Sequence, residues 1–373
     1  MSLLSNLMAS PFGGYARRLL PARINEEFLS EVVLYSMFAL VLLLISARLG
    51  AAFFNVTNLV SVLQQTPEFA LFSLAMGLSM ISGGIDLSVI AVADLAGIFA
   101  AEIMTAPALQ ASLGGGGTIA LACFVSLAAG TLMGLFNGLV IVRFGIPPLL
   151  TTLGTMMLFY GLGSGLTGGV GITGMPAPFV GALSAKIGAV LPVSFCFLLV
   201  VFVLVSAYVR SSVFGKSLYL YGENKIAALF TGLRIGRTLL LSYAVCGLLA
   251  GTSGLIMLAR FNSMKVGFGD TFLLESILVA VLSGMDPYGG RGRLFNVLAT
   301  VLLLQCVENA FTIEGLSPYA KKMIWGGLLL LFMATNFFFR RIVARGLTAA
   351  ALRQKMDGDQ HGESGKEVRA GGR

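Results

Sequence analysis

Histidine occurs once in these 373 residues, tryptophan once, and only 11% of the positions are charged. An average soluble domain is roughly 25% charged, so an ordinary water-soluble enzyme is excluded. The single His361 sits in a polar C-terminal stretch, which leaves no material for a histidine metal centre or a histidine base. The four cysteines, Cys123, Cys196, Cys246 and Cys306, lie inside apolar runs. They lack the paired spacing of a zinc site or a disulfide framework. No metal or other cofactor is therefore expected in this chain. The net charge of +8 is spread along the edges of apolar runs rather than gathered in a patch. That pattern argues for orientation in a membrane and against a nucleic-acid partner.

What the chain has in abundance is apolar length, with 57% of its residues hydrophobic. A bilayer-crossing helix needs about 20 such residues. Ten segments qualify, near 29–49, 58–82, 87–106, 118–142, 147–167, 191–209, 239–259, 271–285, 294–312 and 322–340. The expected fold is an all-α polytopic membrane protein of about ten transmembrane helices, some of them broken. Gln64, Gln65 and Pro67 interrupt the second span, which predicts a kink or break there. The first span reads as uncleaved, because no small-residue cleavage site follows it.

Basic residues orient this array. With the N-terminus in the cytoplasm, the inner segments hold nineteen Lys and Arg and the outer ones six, the asymmetry of the positive-inside rule. The organisation then reads as a cytoplasmic segment over 1–28, a transmembrane domain over 29–340 and a cytoplasmic tail over 341–373. The tail lacks an apolar face and is expected to be disordered. Residues 168–190, rich in Gly, Pro and Ala, form an outer loop with a short surface helix. Residues 210–238 form a basic inner loop.

Three groups of residues carry the chemical content. Ser82-Gly83-Gly84-Ile85-Asp86-Leu87-Ser88 sets a glycine pair and a carboxylate between two spans. It reads either as a turn or as a carboxylate facing the bundle interior. The topology puts it at the inner ends of the second and third spans, as a helix break with Asp86 or Ser88 capping the third. In the inner loop, Asn224 is a candidate N-cap. Ile226, Leu229, Phe230 and Leu233 then share one face of a slim helix, with Ala227 and Ala228 between them and Gly232 ending it. Such a helix suits either a groove on another protein or the lipid interface. Third, Gln64, Gln65, Asp94, Glu102, Asn137, Glu275, Gln305, Glu308 and Asn309 lie inside spans. Each can bond a neighbouring helix. Amides and carboxylates together also suit a hydroxyl-rich solute, and Gln64, Gln65, Asn137, Glu275 and Asn309 are the candidates for a solute path. Gly215-Lys216-Ser217 has the ending of a phosphate loop, but Arg210 stands where that loop needs its first glycine.

Several short stretches, in order, resemble the permease subunits of bacterial ribose-type ABC importers. They are Gly83-Gly84-Ile85-Asp86-Leu87-Ser88-Val89, Ile146-Pro147-Pro148 with Leu153-Gly154-Thr155-Met156, and Gly222-Glu223-Asn224 with Ala227-Ala228 and Thr231-Gly232. Gly247-Leu248-Leu249-Ala250-Gly251 with Ala259-Arg260, Leu274-Glu275-Ser276-Ile277 and Gly289-Gly290-Arg291-Gly292 follow. Asp94 departs from that family's usual uncharged residue. The resemblance implies an inner-membrane permease with both termini cytoplasmic, moving a monosaccharide or similar small polyhydroxylated solute by alternating access. It implies a second permease copy or close relative, a periplasmic solute-binding protein and ATPase subunits that bind ATP and Mg. The permease would then have no ATPase site of its own. Glu223, Asn224, Ala227, Ala228, Leu229, Phe230 and Gly232 would couple it to the ATPase, and Gly83, Gly84, Asp86 and Ser88 mark the family. An ABC permease for nucleosides or branched-chain amino acids shares these features, and an ion-coupled secondary transporter is the remaining alternative.

Overall fold

The structure is a computed structural model that describes residues 22–334 apart from residue 189. The chain up to Trp325 forms one compact unit, and residues from Gly326 onward form a second, helical over its described positions 326–334. The expected tail 341–373 and residues 1–21 lie outside the described residues. Helix α1 runs Ala22–Leu49, so the last part of the expected N-terminal segment is already helical.

Helices α2 (Val56–Ile81) and α3 (Val89–Thr105) follow, separated by the 82–88 break. Asn55 caps α2 by accepting the Thr57 amide at 3.0 Å. Of the kink or break expected at Gln64–Pro67, the break is absent, since α2 is one helix with Pro67 inside it. The proline lacks an amide hydrogen, and neighbouring helices hold the segment instead. Ser253 donates to the Glu68 carbonyl at 3.1 Å just beyond it.

Helix α4 (Pro107–Phe144) carries the break that α2 does not: Gly114, at φ 69° and ψ 167°, separates a short first piece from the long membrane-length piece. Proline starts both α4 and α5 (Pro148–Thr167), and left-handed Gly145 and Gly168 end them. The outer loop then forms β1 (Ile172–Thr173), the short helix α6 (Ala177–Ser184) and the hairpin β2 (Lys186–Ile187) with β3 (Leu191–Pro192). Helices α7 (Val193–Ser211), α8 (Val213–Glu223), α9 (Lys225–Phe230) and α10 (Ile235–Phe261) come next. Strand β4 (Ser263–Met264) pairs antiparallel with β1, clasping the loop after α5 to the loop after α10. Helix α11 (Asp270–Leu282) is short, as its sequence indicated, and α12 (Leu294–Ile313) follows. Residues 318–325 are helical again.

The ten expected spans are all present as helices, the tenth in its described part. Among the described residues, six candidate spans meet the length and composition of a bilayer crossing: Leu34–Ala52, α4, α5, α7, α10 and α12. Helices α2 and α3 are instead buried almost throughout, at the centre of the unit. Helix α10 touches α2, α3 and α4, so these four form the core. Its closest contact uses glycines at four-residue spacing. A Cβ at Gly134 would stand 2.1 Å from the Tyr243 carbonyl oxygen, and one at Gly247 would stand 2.1 Å from that of Gly130. Small residues let helix backbones approach where lipid supplies no hydrophobic drive.

Candidate functional site

Two regions concentrate the candidate residues. The first is built around α9. Ser212 starts α8 by accepting the Gly215 amide at 3.2 Å, and α8 ends at Gly222–Glu223. Asn224 then caps α9, its Oδ1 accepting the Ala227 amide at 3.0 Å as its position indicated. Ile226, Leu229 and Phe230 are 70%, 65% and 87% exposed, while Ala228 is fully buried. The apolar ridge therefore points away from the protein, and Ala228 faces inward to seat the helix. The ridge is shorter than its sequence pattern. The helix stops at Phe230, and Gly232 turns the chain at φ +73°, so Leu233 lies outside it.

Gly222 fixes this helix to the rest of the molecule. A Cβ there would lie 2.0 Å from the Ile81 carbonyl oxygen and 2.4 Å from the Gly290 nitrogen. The Gly290 amide donates to that same Ile81 carbonyl at 2.9 Å. The foot of α9, the end of α2 and the turn between α11 and α12 thus meet backbone to backbone. Gly83, at φ +75°, joins from the fourth side, with the Tyr288 carbonyl oxygen 2.8 Å from where a Cβ would stand. Only glycine allows this approach.

The break after α2 is a network of side chains. Asp86 is buried, and its Oδ1 accepts the Ser88 amide at 3.0 Å and the Ser88 hydroxyl at 2.6 Å. Asn137 of α4 donates to the Ser88 Oγ at 2.7 Å. Thr152 of α5 accepts the Leu87 amide and donates to the Ile85 carbonyl, both at 3.1 Å. The expected side-chain cap of α3 by Asp86 or Ser88 is absent: Asp86 closes a turn onto Ser88 just before the helix and reaches none of the first-turn amides of α3. Ser88 makes no side-chain cap, because its hydroxyl is engaged by Asp86 and Asn137. Gly84 completes the packing against Pro148 and the Tyr243 hydroxyl. The placement of Asp86 at the end of the two spans holds, but protein encloses its carboxylate there.

The second region is a cavity of about 260 Å³ among α2, α10, α11, α12 and residues 318–325. Gln65, Thr271, Glu275, Gln305, Glu308, Arg260, Lys321 and Lys322 contribute its polar lining, and Phe261, Phe268, Phe272 and Trp325 its aromatic lining. Glu68 lies fully buried behind Arg260, with Oε1 2.6 Å from an Arg260 Nη. The contact is an ion pair without an aligned hydrogen bond. The guanidinium also lies 4.3 Å over the Phe261 ring. Lys321 pairs with Glu308 at 2.7 Å, and the Trp325 Nε1–H donates to the other Glu308 oxygen at 3.1 Å. Gln305 donates to Gln65 at 3.4 Å. Phe272 lies against Phe69 and Phe72, 5.8 Å between centroids in each case.

The structure divides the expected solute-path residues. Gln65 and Glu275 share the larger cavity, while Gln64 lines a second of about 170 Å³ that meets the first at Arg260. Asn309 accepts from Asn58 at 2.8 Å and ties α12 to the start of α2. Asn137 belongs to the Asp86–Ser88 network and lines neither cavity. Glu68 was not among the sequence candidates, although a carboxylate next to Pro67 inside an apolar run was the signal available. Asp94 has a local duty, accepting the Gly267 amide at 2.7 Å and so fixing the loop before α11.

Comparison with known proteins follows this geometry. The chain is 28% identical over 294 residues to the ribose import permease protein RbsC of Bacillus subtilis, covering 78% of this chain and 88% of that protein. It is 29% identical over 297 residues to RbsC of Escherichia coli K12, covering 78% and 89%. To the autoinducer 2 import system permease protein LsrD of Yersinia enterocolitica it is 30% identical over 265 residues, covering 69% and 77%. No solved structure matches. The apolar helices and these relatives make it a multi-pass inner-membrane protein. Residues 58–333, from the start of α2 into the last described helix, match one family model, and the chain belongs to that family, the permease component of the branched-chain amino acid transport system.

Proposed function

We propose that the chain is the transmembrane subunit of an ATP-driven importer that carries a monosaccharide or similar small polyhydroxylated solute by alternating access. The observation that carries this is the exposed ridge of Ile226, Leu229 and Phe230, seated through Gly222 on the end of α2 and the α11–α12 turn. A short helix with a bare apolar face and a rigid footing suits insertion into a groove on a partner. Burying one such side chain contributes about 1.5–3 kcal/mol. That partner is an ATPase subunit, which binds ATP and Mg, and this chain supplies no ATPase site. Both termini lie with α9 on the cytoplasmic side, following the distribution of Lys and Arg.

Closure of the ATPase pair would push α9, and the glycine junction would pass the displacement to α2 and to α11–α12. Those helices line the larger cavity. The solute needs only a different affinity for the inward and outward states. A second permease copy or close relative completes the path, and a periplasmic binding protein delivers the solute. Glu223, Asn224, Ala227, Ala228 and Gly232 shape and seat the coupling helix, and Leu229 and Phe230 make the contact. Gln65 and Glu275 face the solute.

Relatives named for ribose, allose and galactose support the sugar reading. The family description, which names branched-chain amino acids, supports a second one. The coupling assignment is tested by a cysteine at Phe230, in a background without the four native cysteines. It should crosslink to the co-expressed ATPase, and a cysteine at buried Ala228 should not. Equal crosslinking at both positions, or capture of Phe230→Cys only by lipid-phase reagents, would defeat the assignment.

A further inference from the structure

We infer that the 260 Å³ cavity is a binding site for one neutral, hydroxyl-rich ring of monosaccharide size, with Glu275 as its specificity-determining residue. This deepens, and rests on, the importer reading above. Size sets the first limit. Small-molecule sites usually begin at about 300 Å³, so this cavity takes a single ring and excludes a disaccharide.

Charge sets the second limit. Arg260 is paired with Glu68 at 2.6 Å and Lys321 with Glu308 at 2.7 Å. The remaining lining cation, Lys322, is exposed and acts electrostatically on Glu275, so an anionic solute would have to break one of those pairs or compete with Glu275 for Lys322. Separating a buried ion pair is costly, because it strands a charge.

The unspent groups set the third limit. Glu275 lines the cavity, and among the described residues it accepts no hydrogen bond and touches no cation, although Lys321 and Lys322 act on it from a greater distance. A carboxylate only accepts, so its complement in a neutral solute is a pair of hydroxyls. Gln65 and Gln305 bond each other at a long 3.4 Å, which leaves amide capacity for further hydroxyls. Phe272 and Phe268 supply apolar faces for the C–H face of a sugar ring. A branched aliphatic side chain in the same space would desolvate Glu275 and both amides without replacing their bonds. Sites built to bond a hydroxyl reject analogues that lack it, commonly by about 10⁴-fold.

The only tryptophan of the chain reports on this cavity directly, since Trp325 lines it and donates to Glu308. The test is a fluorescence titration of the full-length chain in lipid nanodiscs with D-ribose, D-galactose and L-leucine, repeated by equilibrium dialysis with labelled solute. At least one sugar should give saturable binding by dialysis and L-leucine none. Glu275→Gln should raise the half-saturation concentration about tenfold, the loss expected when a charge-assisted hydrogen bond becomes neutral, with an unchanged unfolding midpoint. Binding of L-leucine, sugar binding indifferent to Glu275→Gln, or no sugar binding in either assay would each overturn the inference. The Phe230 crosslink separates the two claims. A chain that crosslinks but ignores sugars loses the site and keeps the importer reading. A chain that binds sugar through Glu275 but fails to crosslink keeps the site and loses the coupling assignment.

Discussion

Replacing Gly222 by alanine tests whether α9 is rigidly joined to the spans. The added methyl would sit 2.0 Å from the Ile81 carbonyl oxygen and 2.4 Å from the Gly290 nitrogen, where ordinary contact begins at 3.4 Å. It enters beside the 2.9 Å hydrogen bond that joins those two groups. Every clashing atom is backbone, so no side chain can swing away, and one segment has to retreat by about 1.4 Å. Breaking the bond and stranding a buried carbonyl costs about 1–3 kcal/mol. Overpacking adds about 1–3 kcal/mol. Gly232→Ala is the control, because open space surrounds that position and the only cost is an alanine held at φ +73°, about 1–2 kcal/mol. Thermal unfolding followed by Trp325 emission, and ATP-driven uptake in proteoliposomes with the partner subunits, read the two effects. Gly222→Ala should lower the unfolding midpoint and depress uptake more than ATP hydrolysis, and Gly232→Ala should do less of both. Wild-type behaviour of Gly222→Ala, or greater damage at Gly232, would refute the junction.

Further outcomes follow from the same packing. Gly134→Ala drives a methyl to 2.1 Å from the Tyr243 carbonyl oxygen, whereas Gly165→Ala meets open space. The first should lose about 1–3 kcal/mol in thermal unfolding and the second should be neutral or slightly stabilised. Equal effects would contradict the close α4–α10 contact. Glu68→Ala and Arg260→Ala each break a pair whose acid is fully buried, and each should cost about 3–5 kcal/mol. The double replacement by methionine should recover most of that loss in the same assay, and a double variant worse than either single one would exclude the pair.

Membrane character, the all-helical build and the existence of a short capped helix α9 were legible from the chain because they depend on local properties. Apolar length announces a span whatever it packs against, and Asn224 caps α9 with its own neighbouring amides. The placement of breaks was less legible. A kink or break was expected at Gln64–Pro67 and none at Gly114, yet α2 runs unbroken through Pro67 and α4 breaks at Gly114. A proline inside a buried helix is held by its neighbours, whereas a four-glycine run, Gly114–Gly117, has no side chains to hold it. The cap expected from Asp86 or Ser88 did not form, because the two side chains bond each other and Asn137, which comes from another helix.

Composition and periodicity alone determined that this chain lives in a membrane, that it is built of many apolar helices and that a slim apolar ridge interrupts its basic loop. Only the tertiary structure decided which way that ridge faces, since Ala228 and Phe230 differ by their neighbours rather than by their spacing. It also decided that Gly222, not Gly232, is the tight joint, and that Gln65 and Glu275 share a cavity while Asn137 and Asn309 brace helices. Those assignments rest on contacts between residues remote in sequence, such as Glu68 with Arg260 and Ile81 with Gly290. Hydropathy and turn propensity are sums over near neighbours, and such sums carry no information about a distant partner.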